Sequence, residues 1–274
     1  MSAPEGTTLI LRCGKVLLHS LPTIDLCGSQ TERLKHVVTV NAEIFAYAHE
    51  NREMERILAQ TVNTIDGRIL QWVCNLLYPS WKIRRLPGSD FIYELAQYST
   101  ARSEGLFLLG ASAESNRLAV EALRAGFRGL NVAGYAPPFC SDIQRPDWNR
   151  AIFQQIEKFR PTHLVVCFGP VKQETWISQN AESLFSMGVR CAYGLGGTLD
   201  FVAGTKKRAP KWIQTVGAEW LFRFFCEPRQ RFFRTLTMFK MPYFAARTRC
   251  REIRLIAPVN LEASSKECRR MWDS

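Results

Sequence analysis

The chain has 274 residues, 46% of them hydrophobic, which is enough for a substantial core and excludes collagen-like, disordered and small disulfide-stapled classes. Nine cysteines with no C-x-x-C pair argue for a reduced, intracellular protein rather than a disulfide framework or a clustered zinc site. The longest charge-free stretches, residues 69–81 and 129–141, contain proline and fall well short of the ~20 apolar residues of a spanning helix. Arg12 and Lys15 interrupt the apolar start, so no export signal is expected. The net charge of +11 is unevenly placed: 20 Lys/Arg face 19 Asp/Glu through Asp200, and 16 face 6 from Phe201 onward. The body is neutral and the tail is basic.

In chain order, residues 37–40 form a β-branched strand candidate, and residues 43–60 follow as one helix with Ile44, Tyr47, Ala48, Met54, Ile57 and Leu58 apolar. Residues 61–66 make the next strand, closed by the turn pair Asp66-Gly67. A cleaner series comes next. Strand 106–109 runs into Gly110, helix 114–125 is stopped by Gly126 and Gly129, and strand 130–133 follows. Strand 163–168 then ends at Gly169, helix 173–187 ends at Gly188, and strand 190–193 leads to Gly194.

This alternation predicts an α/β fold with a Rossmann-like, largely parallel sheet flanked by helices, whose ligands lie beyond the carboxyl ends of the strands. Gly110, Gly169 and Gly194 fall at those ends, where each also suits a plain tight turn. No G-x-G-x-x-G, Walker loop, H-E-x-x-H or G-x-S-x-G is present, which disfavours a nicotinamide-dependent enzyme. Beyond Arg208-Ala209-Pro210, Ile213, Val216, Trp220 and Phe224 recur at helical spacing. Residues 222–244 mix seven phenylalanines with Arg223, Arg229, Arg231, Arg234 and Lys240. Such a segment either packs on its own body or meets an anionic membrane surface, and the charge asymmetry favours the membrane.

Three clusters carry candidate chemistry. In Thr39-Val40-Asn41-Ala42-Glu43 and Asn63-Thr64-Ile65-Asp66-Gly67, neighbouring strands would bring a hydroxyl, an amide and a carboxylate to one rim, able to hold a sugar and remove a proton from it. On spacing alone Asp66 reads more simply as an ordinary Asp-Gly turn. Gly169 to Gln173 and Glu174 bring a strand to a helix N-terminus that suits an anion. Gly196-Gly197-Thr198-Leu199-Asp200, followed by cations, suits a nucleotide diphosphate or a solvated loop. The four histidines are scattered and read as structural, and Cys167 reads as packing.

The ordered blocks Phe168-Gly169-Pro170-Val171-Lys172-Gln173-Glu174-Thr175-Trp176-Ile177, Gly196-Gly197-Thr198-Leu199-Asp200-Phe201-Val202-Ala203-Gly204, Arg208-Ala209-Pro210-Lys211-Trp212 and Gly217-Ala218-Glu219-Trp220 resemble the WecG/TagA/CpsF family of bacterial glycosyltransferases. Thr39 to Glu43, Asn63 to Gly67 and Arg85-Leu86-Pro87-Gly88-Ser89-Asp90 agree with it, so the likeness spans about residues 34–240. It implies an inverting enzyme that moves a sugar from a UDP-sugar to a polyprenyl-diphosphate-linked saccharide in surface polysaccharide biosynthesis. It places that enzyme in the cytoplasm, peripheral to the inner face of the cytoplasmic membrane. Asp66 would be the general base and Thr39 and Asn41 would line its pocket, while Arg85, Gly110, Gly169, Gln173, Glu174, Gly196, Gly197 and Asp200 would bind donor or acceptor.

The implied organisation is an N-terminal segment (1–33), a Rossmann-like core (34–215) and a basic, aromatic-rich helical appendage (216–274), with homo-oligomers among its possible partners. No cofactor or metal is expected, since no two aspartates form D-x-D. Arg223, Arg229, Arg231 and Arg234 would then meet the diphosphate or lipid phosphate. After Asp66-Gly67 the family tends to small apolar residues, whereas this chain has Arg68 and a bulky Ile69-Leu70-Gln71-Trp72. The alternative from another class is a nucleic-acid-binding protein using the basic tail, although no recognised binding motif accompanies the charge.

Overall fold

The computed structural model describes residues 8–20, 23–79, 83–206, 209–210, 213, 221–222, 240 and 253–256. The chain runs through β1 (Thr8–Cys13), β2 (Val16–Ser20), α1 (Thr23–Cys27), β3 (Lys35–Val40), α2 (Ala42–Glu50), α3 (Arg52–Ala59), β4 (Val62–Ile65), α4 (Arg68–Leu77) and α5 (Gly88–Arg102). It continues with β5 (Leu106–Gly110), α6 (Ala113–Gly126), β6 (Val132–Tyr135), α7 (Pro146–Phe159), β7 (His163–Cys167), α8 (Lys172–Gln179), α9 (Ala181–Ser186), β8 (Cys191–Gly194), α10 (Thr198–Val202) and β9 (Ile253–Ile256). Contacts divide this succession into two units, one holding residues 23–39 and 88–206, the other residues 40–87 with the chain's two ends.

The first unit is the α/β layer structure expected. Its strands lie in the order β6-β5-β7-β8-β3, every neighbouring pair parallel. β5 and β7 are apolar throughout because helices cover both faces of a parallel sheet, so every side chain is buried whichever way it points. One core face joins Leu109, Leu164, Val166 and Ala192 of the strands to Ile152 and Ile156 of α7, Trp176 and Ile177 of α8, and Leu184 of α9. The crossovers carry all these strands in one direction, so their carboxyl ends form one rim.

In the second unit β2 pairs with β4 in parallel, and β1 pairs antiparallel with β2 on one side and β9 on the other. The β1–β2 hairpin closes on Gly14-Lys15, with Cys13 opposite Val16 and Gly14 at φ 62. Asn63 holds this unit together from within. Its Nδ2 donates to the carbonyls of Leu17 at 2.9 Å and Leu58 at 2.7 Å, and its amide donates to His19 Nδ1 at 3.1 Å.

Two predicted helices each prove to be two. Asn51 closes α2 through its amide, and its side chain then caps α3 by accepting from the Met54 amide at 3.0 Å. Asn180 separates α8 from α9 differently: its backbone amide and Nδ2 both donate to the Trp176 carbonyl and close α8, and its side chain does not cap α9. The strand expected at 130–133 begins two residues later, at Val132.

Candidate functional site

In the second unit, Asp66 follows the last residue of β4 and precedes Gly67, which caps α4. The Asp66 amide donates to the Val40 carbonyl at 2.9 Å, bringing the end of β4 against the residue before Asn41. Gly67 lies so close that a Cβ on it would sit 3.7 Å from the Asn41 Cα. The chain segments that carry Asp66 and Asn41 therefore meet through their backbones. Asn41 has a second task, because its Oδ1 accepts from the amides of Glu43 and Ile44, each at 3.0 Å, and so starts α2. Arg85 reaches the same place by a different route. Leu86 N donates to Ile65 O at 2.7 Å and Gln71 Nε2 donates to Ile83 O at 2.8 Å, which straps the segment before α5 to β4 and α4. Arg85 Nη1 then donates to the Asp66 carbonyl at 3.4 Å.

In the first unit the rim gathers Thr39, Gly194, Gln173, Glu174 and Gly196. The buried Thr39 hydroxyl donates to the Gly194 carbonyl at 2.8 Å. Gln173, also buried, donates from Nε2 to Glu174 Oε1 at 2.7 Å and accepts on Oε1 from the Gly196 amide at 3.0 Å. A Cβ on Gly194 would come within 2.8 Å of Glu174 Oε1 and 3.0 Å of Gln173 Nε2, so the absence of a side chain there is what lets the pair pack. Spacing identified Gly194 only as a strand end. Its role as the floor under the pair is visible only from the parallel register of β7 and β8, which sets the start of α8 beside it.

Two turns at this rim are strained or sterically dictated. Gly110 has φ 98, and a Cβ there would meet the Cys167 carbonyl at 2.8 Å. Ala111 follows at φ 61 and donates its amide to the same carbonyl at 3.1 Å, after which Ser112 caps α6 by accepting from the Ser115 amide. Gly169 and Gly196, both at positive φ, have open space where a side chain would be. Val171, which caps α8, sits at φ 72 and ψ −52. This is the γ-turn conformation that a β-branched residue adopts only under constraint.

Asp200 lies in the first turn of α10, and its Oδ2 pairs with Lys206 Nζ at 3.2 Å. Gly197 immediately precedes that helix. Burial pushes the Cys167 thiol up to about 12, so it is a packing group and no nucleophile. Arg223, Arg229, Arg231 and Arg234 lie outside the described residues, as does nearly all of the expected appendage. Among the described residues no helix is long and apolar enough to cross a membrane.

The open glycines and the buried amide–carboxylate pair lie on the carboxyl rim of a parallel sheet, the place where open α/β sheets bind their ligands. Residues 20–255 match the Glycosyl transferase WecG/TagA/CpsF family, and the chain belongs to that family. Among its relatives is an N-acetylglucosaminyldiphosphoundecaprenol N-acetyl-beta-D-mannosaminyltransferase of Staphylococcus aureus (strain MRSA252), 29% identical over 72% of this chain and 74% of that protein. A protein with the same name from Bacillus subtilis (strain 168) is 26% identical over 76% of this chain and 77% of its own length. The chain is a glycosyltransferase.

Proposed function

We propose that this enzyme transfers a sugar, with inversion, from a UDP-sugar to a polyprenyl-diphosphate-linked saccharide of a bacterial surface polysaccharide. The family match across residues 20–255 carries the reading, and the names of the relatives supply the acceptor class and make N-acetylmannosamine the first sugar to test. Asp66 takes the proton of the acceptor hydroxyl, whose oxygen bonds to the anomeric carbon as the bond to the diphosphate breaks and UDP leaves. The location of Asp66 after a strand end, with its backbone fixed by Val40 and Arg85, supports this role.

The rim of Gly110, Gly169, Gln173, Glu174, Gly196, Gly197 and Asp200 receives the donor. Open space at Gly169 and Gly196 lets a diphosphate approach backbone amides closely. No metal takes part. Arg223, Arg229, Arg231 and Arg234 meet phosphate of the donor or of the lipid, and the basic segment works at the anionic inner face of the membrane. Homo-oligomers belong to this reading as a partner state.

The test presents the purified chain with a panel of UDP-sugars and short-chain polyprenyl-diphosphate sugars, identifying product by mass. UDP should appear only when both substrates are present. Asp66→Asn should lower turnover by about 10²-fold or more, the usual range for a lost general base, with an unchanged melting temperature. Turnover equal to that of the unaltered chain would remove Asp66 as the base.

A further inference from the structure

The carboxyl end of β5 is held by a side chain that takes no part in the proposed reaction. The register between β5 and β6 stops where Leu109 pairs with Tyr135, whereas the register between β5 and β7 runs one residue further, to Gly110 and Cys167. On the β6 side the last carbonyl of β5 therefore needs a donor from elsewhere. Asn116, in the first turns of α6, supplies it. Its Nδ2 donates to the Gly110 carbonyl at 2.9 Å and to the Leu108 carbonyl at 3.0 Å, which uses both hydrogens of the amide. The same nitrogen lies 3.4 Å from the Tyr135 carbonyl at the end of β6.

Asparagine is a poor helix former, and here it is only 4% exposed, so these bonds rather than helix stability account for its place inside α6. Gly134 makes the room. A Cβ on it would overlap Asn116 Oδ1, so the bare backbone of β6 lets the amide sit at the rung where Leu108 pairs with Gly134.

The consequence falls on the turn that follows β5. A peptide group is planar, so a bond at its carbonyl and another at its amide together fix its plane. For the peptide joining Gly110 to Ala111, Asn116 holds the carbonyl, and the Cys167 carbonyl holds the amide at 3.1 Å. Both residues have positive φ, 98 and 61, and an alanine keeps such a conformation only where its surroundings impose it.

We propose that Asn116 is a positioning residue for the sugar-nucleotide donor, acting through the turn at Gly110 and Ala111, with Gly134 as its seat. Its amide is committed to the strands, so its effect on the ligand passes through the turn. The inference rests on the reading of the Gly110 rim as the donor site and adds the residue pair that fixes the geometry of that rim.

Calorimetric titration of the full chain with UDP, together with KM and kcat from the transfer assay, tests this. Asn116→Ala should weaken UDP binding and raise the KM for the UDP-sugar by about tenfold, while kcat and the KM for the polyprenyl-diphosphate-linked acceptor stay close to those of the unaltered chain. Gly134→Ala keeps every hydrogen-bonding group but displaces the amide, and should reproduce that split. The double variant Asn116→Ala/Gly134→Ala should be no worse than Asn116→Ala alone, because the side chain that the new Cβ would displace is already gone. Leu123→Val loosens the buried face of the same helix away from the turn and should leave UDP affinity unchanged. Equal weakening in Leu123→Val, an acceptor KM that rises in step with the donor KM, or additive losses in the double variant overturns the proposal. An unaltered chain that binds no UDP overturns the donor reading itself, whereas equal UDP binding by the unaltered chain and by Asn116→Ala overturns the positioning role alone.

Discussion

Gln173 has one amide group and uses both ends of it. Nε2 fixes Glu174, Oε1 fixes the Gly196 loop, and Gly194 beneath them has no side chain to interfere. Each group is held by a neighbour that is itself buried, so the rim is preorganised before any ligand arrives. Gly194→Ala should displace the pair, because no rotamer change moves a Cβ, and overpacking of this kind costs about 1–3 kcal/mol. Chemical denaturation would read that loss, and turnover should fall further than the stability change explains, since the Gly196 loop moves with Gln173. Thr39 permits a finer comparison. Thr39→Ser keeps the bond to the Gly194 carbonyl and should remain close to the unaltered chain. Thr39→Val leaves that buried carbonyl without this donor, at a cost of about 1–3 kcal/mol. Equal stability of the two variants would mean that the 2.8 Å contact contributes nothing.

At the scale of elements, α8 begins on a residue whose backbone resists its own conformation. Val171 holds φ 72, and strain of this kind costs on the order of 1–3 kcal/mol. A glycine there releases the strain and adds back about 0.5–1 kcal/mol of unfolded-state entropy. Val171→Gly should therefore stabilise the protein, by about 1 kcal/mol in urea unfolding, and should raise the KM for the donor as the first turn of α8 loosens. A destabilised variant would show that the conformation is not strained in its setting.

How much of this was legible in the sequence follows from which forces leave a local trace. β5, β7 and β8 are readable because strands buried on both faces are unbroken apolar runs, and the glycines after them have φ values that other residues resist. The breaks at Asn51 and Asn180 are not readable, because the apolar stripe continues across them and only the capping geometry separates the helices. The β1–β2 hairpin is equally hidden. Leu9 to Leu11 and Val16 to Leu18 are all buried, so they lack the alternation that marks a half-exposed strand. At the site, the Asp66 backbone position beside Val40 was expected from strand adjacency, whereas the floor made by Gly194 depends on a register between strands that no local signal encodes.

Across the whole molecule, buried histidines tie stability to pH. His19, which accepts the Asn63 amide on Nδ1, is pushed down to about 4 by burial, and His36 is pushed down to about 3 for the same reason. Burial also lowers His163, although its 2.6 Å bond to Glu104 pulls the other way. All three are neutral in the folded protein near pH 7, and each binds a proton more readily once the chain unfolds. Stability is therefore complete above the ordinary imidazole value of about 6.5 and is lost as pH falls below it. Between there and pH 5, His19 and His36 each forfeit about 2 kcal/mol, close to 1.36 kcal/mol for every pH unit crossed. One sits in each unit, so neither unit escapes the loss. Urea unfolding at pH 7.5 and 5.0 should show a drop of about 4 kcal/mol from these two alone. His19→Gln and His36→Gln, whatever they cost at pH 7.5, should each flatten the pH dependence by close to one proton. Slopes unchanged in both variants would mean that these imidazoles take up their protons without unfolding.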